Sequence, residues 1–205
     1  MVAERSRSPR DLATAFSTTD DHAGWRGVPN RGNMKTIDAI LKAIRPLLLG
    51  VWLGAAIFFG AAVAPNLFGV LRAAGLDNAN ELAGMIVARL LSIINRGGFE
   101  IGLFLIVTAF FVSRNRSRLA RYVEMISLAI MAIMTGIGQW IISARMGVLR
   151  AAMQSPIDRI ALDDPRRVEF AALHGYSVTV MGVALVAGLV AFIIIVSARH
   201  RNAHT

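Results

Sequence analysis

The residues of this chain that could do chemistry are few, and most of them stand in or beside long apolar runs. Glu100, Arg96, Arg145 and His174 are the ionisable ones, and Asn66, Gln139 and Ser177 occupy corresponding places along the same runs. A carboxylate beside an imidazole raises the imidazole pKa and favours proton exchange near neutral pH. With amides and hydroxyls around it, the same group could bind a cation or hold a small polar solute. These residue types serve equally well as a structural ion-pair network at the headgroup level, because Arg and Glu near a span end reach water along their own stems. Both readings stay open in the sequence. What favours function is the cost of placing an ionisable group near lipid without a partner.

Other chemistry has less to stand on. The chain has no cysteine, which excludes disulfides, thiolate metal sites and cysteine nucleophiles. It contains no phosphate-binding G-x-x-x-x-G-K-[ST], no G-x-S-x-G and no H-E-x-x-H. Enzyme activity is therefore unsupported, and no cofactor is expected. Met146, Met153 and Met181 together with His174 form a soft donor set of the kind that suits a copper(I)-like ion. Methionine is also ordinary filling between membrane helices, and the one H-x-x-x-H spacing, His200 with His204, lies in the C-terminal tail. Glu124 lies three residues from Arg121, where the two can pair on one helix at the membrane interface.

The elements that must position these residues are apolar stretches long enough to cross a bilayer. The chain has 205 residues, 55% hydrophobic and 17% charged, with a mean hydropathy of +0.56. Such stretches predict four transmembrane helices, at about 46–68, 97–112, 122–142 and 171–196. The expected fold is all-α: an integral membrane four-helix bundle over residues 34–205, with a short interfacial helix at 36–45. There Ile37, Ile40, Leu41 and Ile44 recur at helical spacing. Residues 1–33 are rich in Arg, Ser, Asp and Gly and read as a disordered tail. Met34 opens a segment typical of a membrane-protein start, so the expectation is that translation begins there; the N-terminal mass of the native protein checks this. Ala62-Val63-Ala64 resembles a signal-peptide cleavage site, but Pro65 follows it and the apolar stretch exceeds a usual signal core, so a retained span is expected.

Further along, Asp77 or Asn78 can cap a helix, with Glu81 placed to assist. Residues 77–96 then form either an interfacial helix or an outer extension of the second span. Asn95-Arg96-Gly97-Gly98 reads as a bend or interface marker. Gly50-xxx-Gly54 and Ala56-xxx-Gly60-xxx-Ala64 give the first span small faces suited to close packing.

Basic residues set the orientation. Net charge is +9. Arg31, Lys35, Lys42 and Arg45, then Arg114, Arg116, Arg118 and Arg121, then Arg199 and Arg201, all fall on one side of a four-span protein. That side is expected to be the cytoplasmic face of the cell (inner) membrane, with both termini there. The expected partner is the lipid bilayer. Nucleic acid is not expected, and a homodimer is plausible because four short spans enclose little volume. Threaded this way, Pro65, Asn66, Arg96, Glu100, Gln139, Arg145, His174 and Ser177 come to one outer level from four helices.

These residues also carry a family resemblance. Trp52 to Gly54 running into Ala64 to Phe68 (A-P-N-L-F), Ala144-Arg145 with Arg150 to Met153 (R-A-A-M), and Asp164 through Phe170 to Ser177 (F-A-A-L-H-G-Y-S) resemble the four-span membrane proteins grouped around transmembrane protein 205. The similarity covers about residues 46–198. Its most specific part is H-G-x-S at the start of the final span. The resemblance implies a four-span fold and a role for His174, Gly175 and Ser177. Eukaryotic members are linked to tolerance of platinum drugs, which implies transport or trafficking. Bacterial copper-resistance membrane domains are a more distant likeness. The sequence departs where the family would place an Asn a few residues after Ser177, since Thr179 and Val180 stand there.

Three functions follow as expectations: handling of a small solute or ion at the outer polar cluster, a non-catalytic scaffold that binds a protein or lipid partner, or handling of a copper-like metal.

Overall fold

A computed structural model describes residues 31–112 and 117–201. The expected tail up to residue 30, Arg114, Arg116 and His204 lie outside these residues. Helix α1 (Arg31–Phe58) passes through a π-helical turn at Phe59–Val63 into α2 (Ala64–Ala73). Residues 36–45 are thus helical and run without a break into the first span, through Pro46. Helicity begins at Arg31, inside the segment expected as tail.

After a turn at Gly75, whose φ of 69° suits a residue without Cβ, α3 spans Ala79–Val112. It joins the 79–96 segment to the second span, with no bend at Asn95 to Gly98. Helix α4 (Arg118–Gly136) is capped by Ser117, whose Oγ accepts from the Ala120 N–H at 3.4 Å. A second π-helical turn, Ile137–Ile142, leads into α5 (Ser143–Met153), which stops at Gln154 in the left-handed conformation. Helix α6 (Pro165–Arg201) completes the bundle. Four continuous helical rods result, at 36–73, 79–111, 118–153 and 165–198, each long and apolar enough to cross a bilayer.

The rods form a ring. Helix α1 packs on α3 and α6, and α4 packs on the same two. When lipid is the solvent, close van der Waals contact drives such association more than burial does. Small residues supply it. Ala184, Ala187, Gly188 and Ala191 on α6 face Trp52, Leu53 and Met131. A Cβ added at Gly188 would lie 3.1 Å from the Trp52 ring, and one at Gly98 only 2.7 Å from its indole nitrogen. Gly102 meets Ala132 and Gly98 meets Thr135, which sets the register of α3 against α4. The small face expected on α1 is used only in part: Gly50 meets Phe192, while Gly54 and Gly60 face open space.

We call the end where α1 begins and α6 finishes the terminal end, and the opposite one the distal end. The distal end is clamped by polar contacts. Glu81 pairs with Arg150 at 3.0 Å, and its Oε2 accepts from the Ile157 N–H at 3.3 Å. Arg150 also lies over the Phe170 ring, 5.3 Å from its centre. The cap of α3 does not come from the side chains of Asp77 or Asn78. Asp158, from a one-turn helix at Ile157–Arg159, accepts from the Glu81 N–H at 3.3 Å and from the Asn80 amide at 2.6 Å. A residue 77 positions away occupies the place of a local cap, which sequence spacing cannot reveal. Asp158→Ala should cost about 1 kcal/mol. It should also speed amide hydrogen exchange over residues 79–84 ahead of the rest of α3. Unchanged exchange there would show that Asp158 does not cap the helix.

Candidate functional site

The residues expected at one outer level divide. Gly102 of α3 levels with Ala132 of α4, so Glu100 levels close to residue 133 or 134. Arg145 lies eleven or twelve residues further along, about 17 Å nearer the distal end at 1.5 Å per residue. Glu100 is exposed on the outside of α3 and makes no ion pair or hydrogen bond among the described residues. Arg145 pairs with Glu169 of α6 at 2.7 Å instead, and both side chains are largely open. His174 is exposed. Asn66 is exposed and turns back on its own helix, donating to the Ala62 carbonyl at 2.8 Å; Pro65 is exposed beside it. The cluster built on Glu100, Arg145 and His174 therefore does not form. It required a common depth, and the observed register separates Glu100 from the other two.

Gln139 and Ser177 are buried as a site would require. Gln139 sits in the π-helical turn Ile137–Ile142, whose wider winding lets both Gly138 and Gln139 face inward. π-Helical turns cost regular hydrogen bonding and recur at functional sites. Here the Gly138 carbonyl accepts from the Ser143 backbone N–H and also from its Oγ, at 2.8 Å. With its amide oriented to suit its neighbours, Gln139 donates to the Ser92 carbonyl at 3.2 Å and accepts from Arg96 Nε at 3.2 Å.

Across from it is Asn95, only 3% exposed, its amide against Gly138. No hydrogen bond ties the Asn95 side chain among the described residues. Sequence reasoning misses Asn95 and Ser92 as site residues. One signal points to Asn95: it lies three before Gly98 and seven before Gly102, on the spacing of the buried stripe of α3.

Toward the terminal end this polar layer is closed by apolar packing. Trp52 spans the bundle between Gly98, Thr135 and Gly188, and its indole N–H donates to the Ile94 carbonyl at 2.9 Å. Leu49, Leu105, Leu128 and Met131 fill the space beyond. Past them lies a second polar feature, an ion pair between Arg45 of α1 and Glu124 of α4, exposed by 1% and 0%. Glu124 does not pair with Arg121, whose guanidinium lies over the Phe110 ring at 5.8 Å. The two residues are close on one helix, but Glu124 falls on the buried stripe with Ser127, Leu128 and Met131 while Arg121 lies at its edge.

The soft-donor residues do not share one setting. His174 is exposed, Met153 is buried, Met181 packs against the apolar core, and Met146 is half-buried. Among the described residues, no three His, Asp or Glu side chains gather as a metal site. At the distal surface Asp164 accepts from Arg166, and this contact holds the Asp164 carboxyl down at about 2.

A ring of four membrane-crossing helices, with an interior polar layer and the buried Arg45–Glu124 ion pair among the described residues, defines a multi-pass integral membrane bundle protein. Residues 47–155, just over half of the chain, match the family described as Domain of unknown function (DUF4149), and the chain belongs to that family. The match covers α2 to α5, most of the membrane-crossing part of α1, and the interior polar layer. No curated protein and no solved structure matches the chain.

Proposed function

We propose that this protein handles a small polar solute or anion at the polar layer formed by Ser92, Asn95, Arg96 and Gln139, with Ser177 buried on α6 on the distal side of that layer. The observation that carries the reading is Asn95. The residue is only 3% exposed, its side chain makes no hydrogen bond among the described residues, and its amide lies against Gly138 in the π-helical turn that brings Gln139 inward. Buried amides in an apolar bundle are costly unless something pairs with them. Amides, hydroxyls and a guanidinium, with no carboxylate among them, suit a neutral or negatively charged guest better than a cation. In this proposal the terminal end, with its arginines, faces the cytoplasm of the cell membrane, and the polar layer opens toward the outer face. The four-span likeness to the transmembrane protein 205 group is in keeping with a transport role.

The test is solute entry into liposomes holding the full chain, followed for chloride, phosphate, urea and glycerol. At least one should enter faster than into protein-free liposomes. Asn95→Leu and Gln139→Leu should each reduce that rate about tenfold or more, in protein that melts no more than a few degrees lower. Rates equal to empty liposomes for all four probes, or variants as active as the parent, would end this proposal.

A second reading has one observation in its favour. Ser127 and Ile130 of α4 and Thr179, Gly182, Val183, Val186, Ala187 and Val190 of α6 line an open groove of about 540 Å³. Its lining is almost all apolar, which suits a scaffold that seats a lipid chain or a partner's helix.

A further inference from the structure

We infer that the outward face of α3 seats a second copy of this chain, with Glu100 of each copy facing Arg96 of the other. Glu100 lies twelve residues from Val112, where α3 ends at the terminal end. That is about 18 Å of helix, beyond the middle of a hydrocarbon layer about 30 Å thick. The residues around it on the same face are exposed and apolar: Ile93, Leu103, Phe104, Val107 and Phe111. An acid at that depth, on that face, points toward lipid unless another protein surface covers it, and among the described residues no ion pair joins it to Arg96 one turn away on its own helix. Intramembrane acids pair with a cation or a hydrogen-bond donor rather than face hydrocarbon.

The face also carries its own complement. Arg96 is one turn distal of Glu100, is likewise exposed, and engages Gln139 only through Nε. When two α3 helices run side by side about a twofold axis along the membrane normal, each guanidinium has only to lean one turn toward the partner's carboxylate. One symmetric contact then forms two ion pairs, and each charge is met once. No second kind of protein is needed, because the patch is complementary to itself. The inference shares Arg96 with the proposed polar layer, but Glu100 takes no part in that layer, so the test below reads dimer fraction and not solute entry.

The lack of native cysteine makes the test clean. In liposomes, Val107→Cys should cross-link to a dimer with a short bis-maleimide, and Ile193→Cys, exposed on α6, should not. Dimer fraction is counted separately, by single-molecule photobleaching of labelled full chain. Arg96→Glu and Glu100→Arg should each lower it at least tenfold at fixed protein-to-lipid ratio, and the double exchange should restore it. A monomer at all ratios overturns the inference. So does cross-linking from α6 but not α3, or a dimer that Glu100→Gln leaves unchanged. If the charge variants fail to fold, the cysteine map of the otherwise unaltered chain still decides.

Discussion

Glu124→Ala is expected to destabilise the bundle by about 3–5 kcal/mol, the range for removing one member of a buried ion pair. The Arg45 guanidinium is 1% exposed and would lose this carboxylate without gaining access to water. Glu124→Gln should recover little of the loss, because the amide keeps the shape but not the charge. The double variant Arg45→Met, Glu124→Leu should lie close to the parent in stability, since two apolar residues of similar volume replace two charges that each had to be desolvated. Thermal or denaturant unfolding of detergent-solubilised protein measures all three. A single alanine variant as stable as the parent, or a double variant worse than either single, would show that the pair is not the main cation–carboxylate contact at this level.

Trp52→Ala should cost a similar amount, about 3–5 kcal/mol, for a different reason. The indole touches Gly98 and Gly188 on two helices and its N–H satisfies the Ile94 carbonyl. Removing it leaves a cavity among three helices and takes away the second donor that ties the Ile94 carbonyl to α1. In lipid the loss is chiefly one of packing contacts. The same slot should refuse atoms as well as miss them. Gly98→Ala would set a Cβ 2.7 Å from the indole nitrogen and 2.8 Å from Thr135 Cγ2, and overpacking of this kind costs about 1–3 kcal/mol. Unfolding of both variants in one detergent checks the order Trp52→Ala below Gly98→Ala below parent. Equal stability of all three would show that the slot is loose.

Both sites mark the reach of a one-dimensional reading. Within the sequence Gly98 reads as part of a bend or interface marker, because glycine marks either a turn or a close approach. Only the indole lying across it distinguishes the two. Glu124 reads as a surface partner of Arg121, because spacing along a helix shows nearby residues and not the face they occupy. Arg45 is 79 positions away, and no local rule could offer it.

The candidate site is legible in the same partial way. Gln139 and Ser177 stand out as polar residues inside apolar runs, and both are buried. Glu100 and His174 stand out for the same reason and are exposed. Polarity in a span is visible in one dimension, whereas facing inward depends on helix rotation. Here the π-helical turn at Ile137–Ile142 also adjusts that rotation partway along a rod.

What the amino-acid order determined alone was the class of fold. Four long apolar runs must become helices, because a backbone in hydrocarbon has to satisfy its own hydrogen bonds. Their number and approximate limits follow from length and hydropathy. What the tertiary structure decided was depth and direction. Small residues at Gly98, Gly102 and Gly188 fix how far each rod slides against its neighbour, and that sliding sets Glu100 apart from Arg145 and brings Asn95 to Gly138. Such contacts join distant positions through shape, and shape becomes defined only when the helices touch.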